Sequence, residues 1–175
     1  MQSEESNRVT PSLPRLVFSR LLGAVPEIKP AYDRMYNEHR TSLALWSETD
    51  YEDFRKIARF HGTPEDVVLD ALQYPRTNLV FENILLPFII GLTSEPGKSQ
   101  RLVQVMAWIE ELAADEEFGV RNLVGTGFCE PLITNQEHHA ASIIPLMGKA
   151  TRQIGREVMR MFKVSEQTQR LLEAQ

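Results

Sequence analysis

SQRLVQVMAWIEELAADEEFGVRNLVGTGFCEPLI, residues 99–133, decides the fold. Leu102, Val105, Met106, Ile109 and Leu112 recur at steps of three and four residues, which places them on one face of a helix ending near Ala114. Asp115 then restarts the chain: its carboxylate can accept backbone N–H bonds as an N-cap, and Glu116 and Glu117 suit the positive end of a new helix. Phe118, Val120, Leu123, Val124 and Phe128 give that second helix an apolar face. Two antiparallel helices joined by a short acidic turn cannot bury both faces alone, so neighbours must stack on the hairpin. Trp108 lies off the narrow stripe and is expected to cover its edge or to face a partner.

The flanking segments follow the same grammar. A helix is expected from Leu13 to Leu22, stopping at Gly23, and a second from Pro26 through Met35 to His39. Pro30 requires that the second helix start after it or carry an irregular early turn. Thr49 and Asp50 open a segment carrying Phe54, Ile57 and Ala58 that stops at Gly62. Thr63 and Asp66 have capping-box spacing, with Pro64 at the first helical position, ahead of Val67, Val68 and Leu72; Pro75 ends that helix. The longest apolar run, from Leu79 to Leu92, contains Glu82, Asn83 and Pro87 and falls short of the roughly 20 apolar residues of a bilayer span. It is predicted to be a central core helix, kinked or split at Pro87. Ser94 to Ser99, with Pro96 and Gly97, reads as an exposed loop, and a last long helix is expected from Ala141 to Phe162. With no alternating strand pattern in competition, the expected fold is all-α, a compact array of antiparallel helical hairpins. Residues 12–175 should form a single domain behind a polar, disordered segment 1–11.

At 175 residues and 42% hydrophobic content, the chain can bury one core without a disulfide. Its single cysteine, Cys129, lies in the apolar stretch Gly127-Phe128-Cys129 and is expected to be a small buried core residue. No charged, apolar and small-residue leader opens the sequence, so a cytoplasmic location is expected. Candidate chemistry is sparse. In Glu137-His138-His139 the adjacent histidines point to different sides of any regular element, and no Cys or further His lies at ligand spacing. A polar loop leading into the final helix is the simpler reading. His39 and His61 are isolated, and Gly125-Thr126-Gly127 lacks the Lys-Ser/Thr of a phosphate loop. No catalysis, metal or cofactor is expected.

Two charged surfaces remain. Glu110, Glu111, Asp115, Glu116 and Glu117 concentrate negative charge around the hairpin turn, where they can steer a basic protein partner or serve simply as helix punctuation. Lys149, Arg152, Arg156, Arg160 and Lys163, spaced three, four, four and three apart, form a basic stripe, with Met147, Ala150, Ile154, Val158 and Met161 as the opposing apolar stripe. This is the solvated face of an amphipathic helix, or else a phosphate or nucleic-acid face. A net charge of −5 and the lack of aromatic residues among the five cations argue against nucleic acid.

Two resemblances add to this reading. Leu112-Ala113-Ala114-Asp115-Glu116-Glu117-Phe118-Gly119-Val120-Arg121 resembles the turn of a HEAT-type repeat, which implies a HEAT-like array. Val25-Pro26-Glu27-Ile28, Arg121-Asn122-Leu123-Val124, Phe128-Cys129-Glu130-Pro131-Leu132 and Leu146-Met147-Gly148-Lys149-Ala150-Thr151 resemble a family of small bacterial helical proteins of the kind found beside polymorphic-toxin genes. The resemblance implies an immunity protein that binds and occludes a cognate protein toxin, its acidic surface blocking a basic cleft. A helical nucleic-acid-binding or adaptor module using the basic stripe is the alternative; neither reading involves a membrane.

Overall fold

Helices make up the regular structure of the residues that the computed structural model describes, 12–95 and 97–174. The expected disorder of segment 1–11 and the place of Pro96 in its loop lie outside the described residues. The all-α class is that expected. α1 (Leu13–Ala24) leads through a 3₁₀ turn (Pro26–Ile28) into α2 (Lys29–Leu43), so the irregular early turn is the solution adopted around Pro30. α3 (Glu48–His61) opens on a capping box placed at Ser47, two residues before Thr49. The Asp50 N–H donates to Ser47 Oγ (3.4 Å), and the Ser47 N–H donates to Asp50 Oδ2 (2.7 Å). It closes at Gly62, whose φ of 65° is the left-handed conformation that glycine adopts without strain. α4 (Glu65–Leu72) lacks the capping box expected from Thr63 and Asp66: Pro64, with ψ 135°, is still outside the helix, which leaves Thr63 one residue too far upstream.

The central apolar run is neither split nor ended by its proline. α5 (Thr77–Val80), a π turn (Phe81–Leu85) and α6 (Leu86–Ser94) follow without a break. Pro87 has no N–H, and its ring clashes with the carbonyl four residues earlier; the wider π turn removes both conflicts. The same device recurs in the hairpin's second helix, where α8 (Phe118–Leu123), a π turn (Val124–Cys129) and α9 (Glu130–Thr134) run on and Pro131 is the second residue of α9. The two π turns pack against each other. Gly127 permits the approach: a Cβ there would lie 2.8 Å from Phe81 Cβ and 3.2 Å from the Asn78 Cα. Taken as one stretch, residues from Glu65 to Ser94 have the length and composition to cross a membrane. Here that stretch is interrupted at residues 73–76, and Val80, Phe81, Leu85, Leu86 and Ile89 are buried in the protein's core. Glu82 accepts a bond from Asn135 Nδ2 (3.3 Å), and Asn83 is exposed.

α7 (Ser99–Ala113) buries Leu102, Val105, Met106, Ile109 and Leu112 as its periodicity requires. Trp108 joins them: it is 9% exposed, with its ring 6.1 Å from that of Phe81. Val120, Leu123, Val124 and Phe128 are buried, but Phe118 is 72% exposed, contrary to its expected place on the apolar face. The second helix starts at Phe118 with Glu117 as N-cap, two residues later than an Asp115 cap would place it. Asp115 instead accepts from the Glu117 N–H (3.0 Å) and from the Arg20 guanidinium (2.8 Å), which tie the turn to α1. The expected last long helix is broken: α10 (Glu137–Ile143), a 3₁₀ turn (Ile144–Leu146) and α11 (Lys149–Met159) replace it, because Pro145 and Gly148 interrupt the ladder. A further helix, α12 (Glu166–Glu173), packs on α10 and α11.

Candidate functional site

Gly148 is the N-cap of α11 and has no side chain to satisfy the helix's first N–H groups. Glu110 does so from α7. Its carboxylate accepts from the N–H groups of Ala150 (2.7 Å) and Thr151 (2.9 Å) and from Thr151 Oγ1 (2.7 Å). The glycine is needed, since a Cβ at position 148 would lie 2.3 Å from Glu110 Cδ. Burial works against ionisation of Glu110, but the three hydrogen bonds prevail and hold its carboxyl below the ordinary glutamate range. α12 is capped by its own Ser165, whose Oγ accepts from the Thr168 N–H (3.3 Å), and Glu137 braces that cap by accepting from the Ser165 N–H (2.9 Å) and Thr168 Oγ1 (2.8 Å); hydrogen bonds from these residues lower its pKa.

The two charged clusters therefore divide. Of the acidic set, Glu110 caps α11 and Asp115 pairs with Arg20, whose hydrogen bond keeps the aspartate ionised to lower pH. Glu111, Glu116 and Glu117 are exposed and make no ion pair among the described residues. Of the basic set, Arg152 donates to the carbonyls of Met147 (3.1 Å), Ala174 (2.6 Å) and Pro145 (3.2 Å), and Arg156 donates to the Leu172 carbonyl (3.2 Å). These two arginines hold the C-terminal end of α12 against α11. Lys149, Arg160 and Lys163 are exposed. Of the opposing apolar stripe, Met147 and Val158 are buried and Ala150 and Ile154 pack against the core as expected, but Met161 is 70% exposed; α11 also buries Thr151 and Gly155, with Leu172 seated on Gly155.

Phe118 and Met161 meet at a groove of about 400 Å³ between the α8–α9 helix and α11. Ala113, Gly125, Ala150, Ile154 and Val158 supply its small and aliphatic surface, and Arg121, Glu130, Gln153 and Glu157 its polar edges. Cys129 Sγ lies 3.8 Å from the Thr151 carbonyl, and Gly125 faces Ile154 and Val158, so the two walls run antiparallel. The π turn exposes Thr126 on the groove while directing Cys129 inward. Sequence periodicity assigned Phe118 and Met161 to the core. Their neighbours carried the only contrary signal: Phe118 follows three acidic residues, and Met161 stands between Arg160 and the Phe162-Lys163 pair.

Other chemistry-bearing residues are dispersed. Cys129 is fully buried, and desolvation pushes its thiol up to about 12, which suits a core residue and not a nucleophile. His39 Nε2 lies 2.8 Å from the Leu72 carbonyl, His61 is exposed, and the rings of His138 and His139 lie 4.0 Å apart. Among the described residues, no group of three or more His, Cys, Asp or Glu side chains is placed to hold a metal ion.

Fold and groove together define a small all-helical protein with an open apolar cleft between two helices. Residues 65–163 match the model of the family described as a domain of unknown function, DUF7674, and the chain belongs to that family. The groove lies wholly within the matched segment, whereas α1, α2 and α3 precede it and α12 follows it. No curated protein and no solved structure matches the chain.

Proposed function

We propose that this protein is a non-catalytic binding module whose groove seats an apolar segment of another protein, and that the partner is a bacterial toxin which the module neutralises. The observation that supports this reading is the pair Phe118 and Met161, large apolar side chains left in solvent at one end of a groove with small residues along its walls. Exposed apolar anchors beside a concave surface are the usual core of a protein interface. Glu111, Glu116 and Glu117, without ion pairs among the described residues and close to Phe118 in the chain, add the charge that steers a basic partner. The nucleic-acid alternative loses the middle of its stripe, because Arg152 and Arg156 direct their donors to backbone carbonyls.

The test uses the protein product of the gene immediately upstream. Titration calorimetry should give a saturable complex with the wild-type chain, and co-expression should restore growth. Phe118→Ser combined with Met161→Ser should weaken that complex by about 100-fold or more, as loss of two interface anchors would. Failure of the upstream product to bind would overturn the toxin reading. Undiminished affinity of the double variant would overturn the groove as the site.

A further inference from the structure

A second cavity, of about 480 Å³, lies between residues of α2, α3 and the segment joining them and the corner joining α4 to α5, away from the groove. Its size falls within the range of small-molecule sites. Trp46 and Phe54 enter the lining as a stacked pair, ring centroids 5.1 Å apart with planes 13° from parallel, so each covers one face of the other and a ligand meets the outer side of the pair. Leu72 and its neighbours on α4 make the apolar floor. The charge is one-sided. Arg76 is the one cationic Lys or Arg side chain of the lining, and no Asp or Glu lines the cavity. Several acids of the surrounding helices are engaged elsewhere: Asp70 accepts from the Ser12 N–H and pairs with Arg15, and Glu48, Glu52 and Glu65 pair with Arg55, whereas Glu38 and Asp66 are exposed and outside the lining. The other polar side chains of the lining include the Tyr74 and Thr77 hydroxyls and the Asn78 amide, which donate or accept. Arg76, the Trp46 indole N–H and the Asn78 amide make no side-chain hydrogen bond among the described residues, and His39 donates its Nε2 proton to Leu72.

We propose that this cavity binds a small planar aromatic anion, its ring against the outer side of the Trp46–Phe54 pair and its negative group on Arg76. An aromatic ring extends such a stack or meets it edge to face, and an anion satisfies an unpaired guanidinium that would repel a cation. Such a ligand touches both the family segment (Leu72, Arg76, Asn78) and the part of the chain that precedes it (Trp46, Phe54), so the family segment alone does not complete the site. The proposal is independent of the groove and its partner.

The probes are 2-naphthoate, the cationic 2-naphthylmethylamine and neutral 2-naphthol, titrated calorimetrically at neutral pH. Naphthoate should bind the full chain at least about tenfold more tightly than the amine, the effect of one charge-assisted contact. It should shift the NMR signal of the Trp46 indole N–H and leave that of Trp108, the second tryptophan, in place. Arg76→Gln, a change at an exposed side chain, should lower naphthoate affinity about tenfold without altering naphthol binding. Equal affinities for acid and amine would overturn the proposal. So would absence of naphthoate binding, a shift at Trp108 instead of Trp46, or an Arg76→Gln variant that binds naphthoate as the wild type does.

Discussion

Replacing Glu110 by Ala tests whether a side chain on α7 starts α11. The substitution removes the acceptor for three donors: two backbone N–H groups at the first turn of α11 and the hydroxyl of Thr151. Losing a helix cap costs about 0.5–2 kcal/mol. Thr151 is 0% exposed, and an unsatisfied buried hydroxyl costs a further ~1–3 kcal/mol. The expected destabilisation is about 2–4 kcal/mol, which for a urea slope of about 2 kcal/mol/M lowers the denaturation midpoint by about 1–2 M. Glu111→Ala, one position along and exposed, is the control and should shift stability by less than about 0.5 kcal/mol. The pH dependence adds a second readout. Because the folded carboxyl titrates below its unfolded value, its contribution is complete above the ordinary glutamate range and is lost as pH falls through the lower folded value. Wild type and Glu110→Ala should therefore differ most at neutral pH and converge in acid. Equal midpoints for the Glu110 and Glu111 variants, followed by circular dichroism in urea, would refute the cross-helix cap.

The remaining predictions concern the core and the free charges. Leu123→Ala should cost about 2–5 kcal/mol in the same assay, since the side chain is buried in the hairpin's second helix. Gly127→Ala should destabilise by about 1–3 kcal/mol through overpacking where the two π turns meet, and a neutral result would show that the backbones can part there. Cys129 should resist iodoacetamide in the native protein at about pH 8 and react once denaturant unfolds it; rapid native labelling would contradict its burial. Reversing Glu111, Glu116 and Glu117 to Lys should slow association with the upstream partner measured by stopped flow, with the thermal midpoint unchanged, because exposed charges steer more than they stabilise.

Local pattern was enough for the elements whose burial follows from periodicity. The stripe from Leu102 to Leu112 and the run Val120, Leu123, Val124 and Phe128 lie in the core as their spacing requires. Gly62 and the prolines near positions 26 and 75 mark ends that depend only on backbone conformation. Periodicity says which residues share a face, but not whether a neighbour covers that face. That limit explains Phe118 and Met161, which continue apolar stripes past the last residue that another helix reaches. It also explains the charges: Glu110 and Glu111 are indistinguishable in sequence, yet only Glu110 faces the bare N-terminus of α11. The signal for that role was Gly148, a helix start without a capping side chain, but the carboxylate that completes it lies 38 positions earlier in the chain. The stripe from Lys149 to Lys163 is likewise straight in sequence, and only the docking of α12 decides that Arg152 and Arg156 turn to its carbonyls while Lys149, Arg160 and Lys163 stay in solvent. The sequence alone determined helix as the secondary structure and the hairpin as its centre, because hydrogen bonding and apolar spacing within a helix are local. Packing between helices decided which charges are structural and where the groove opens, because those outcomes depend on groups that only the folded chain brings within hydrogen-bonding distance.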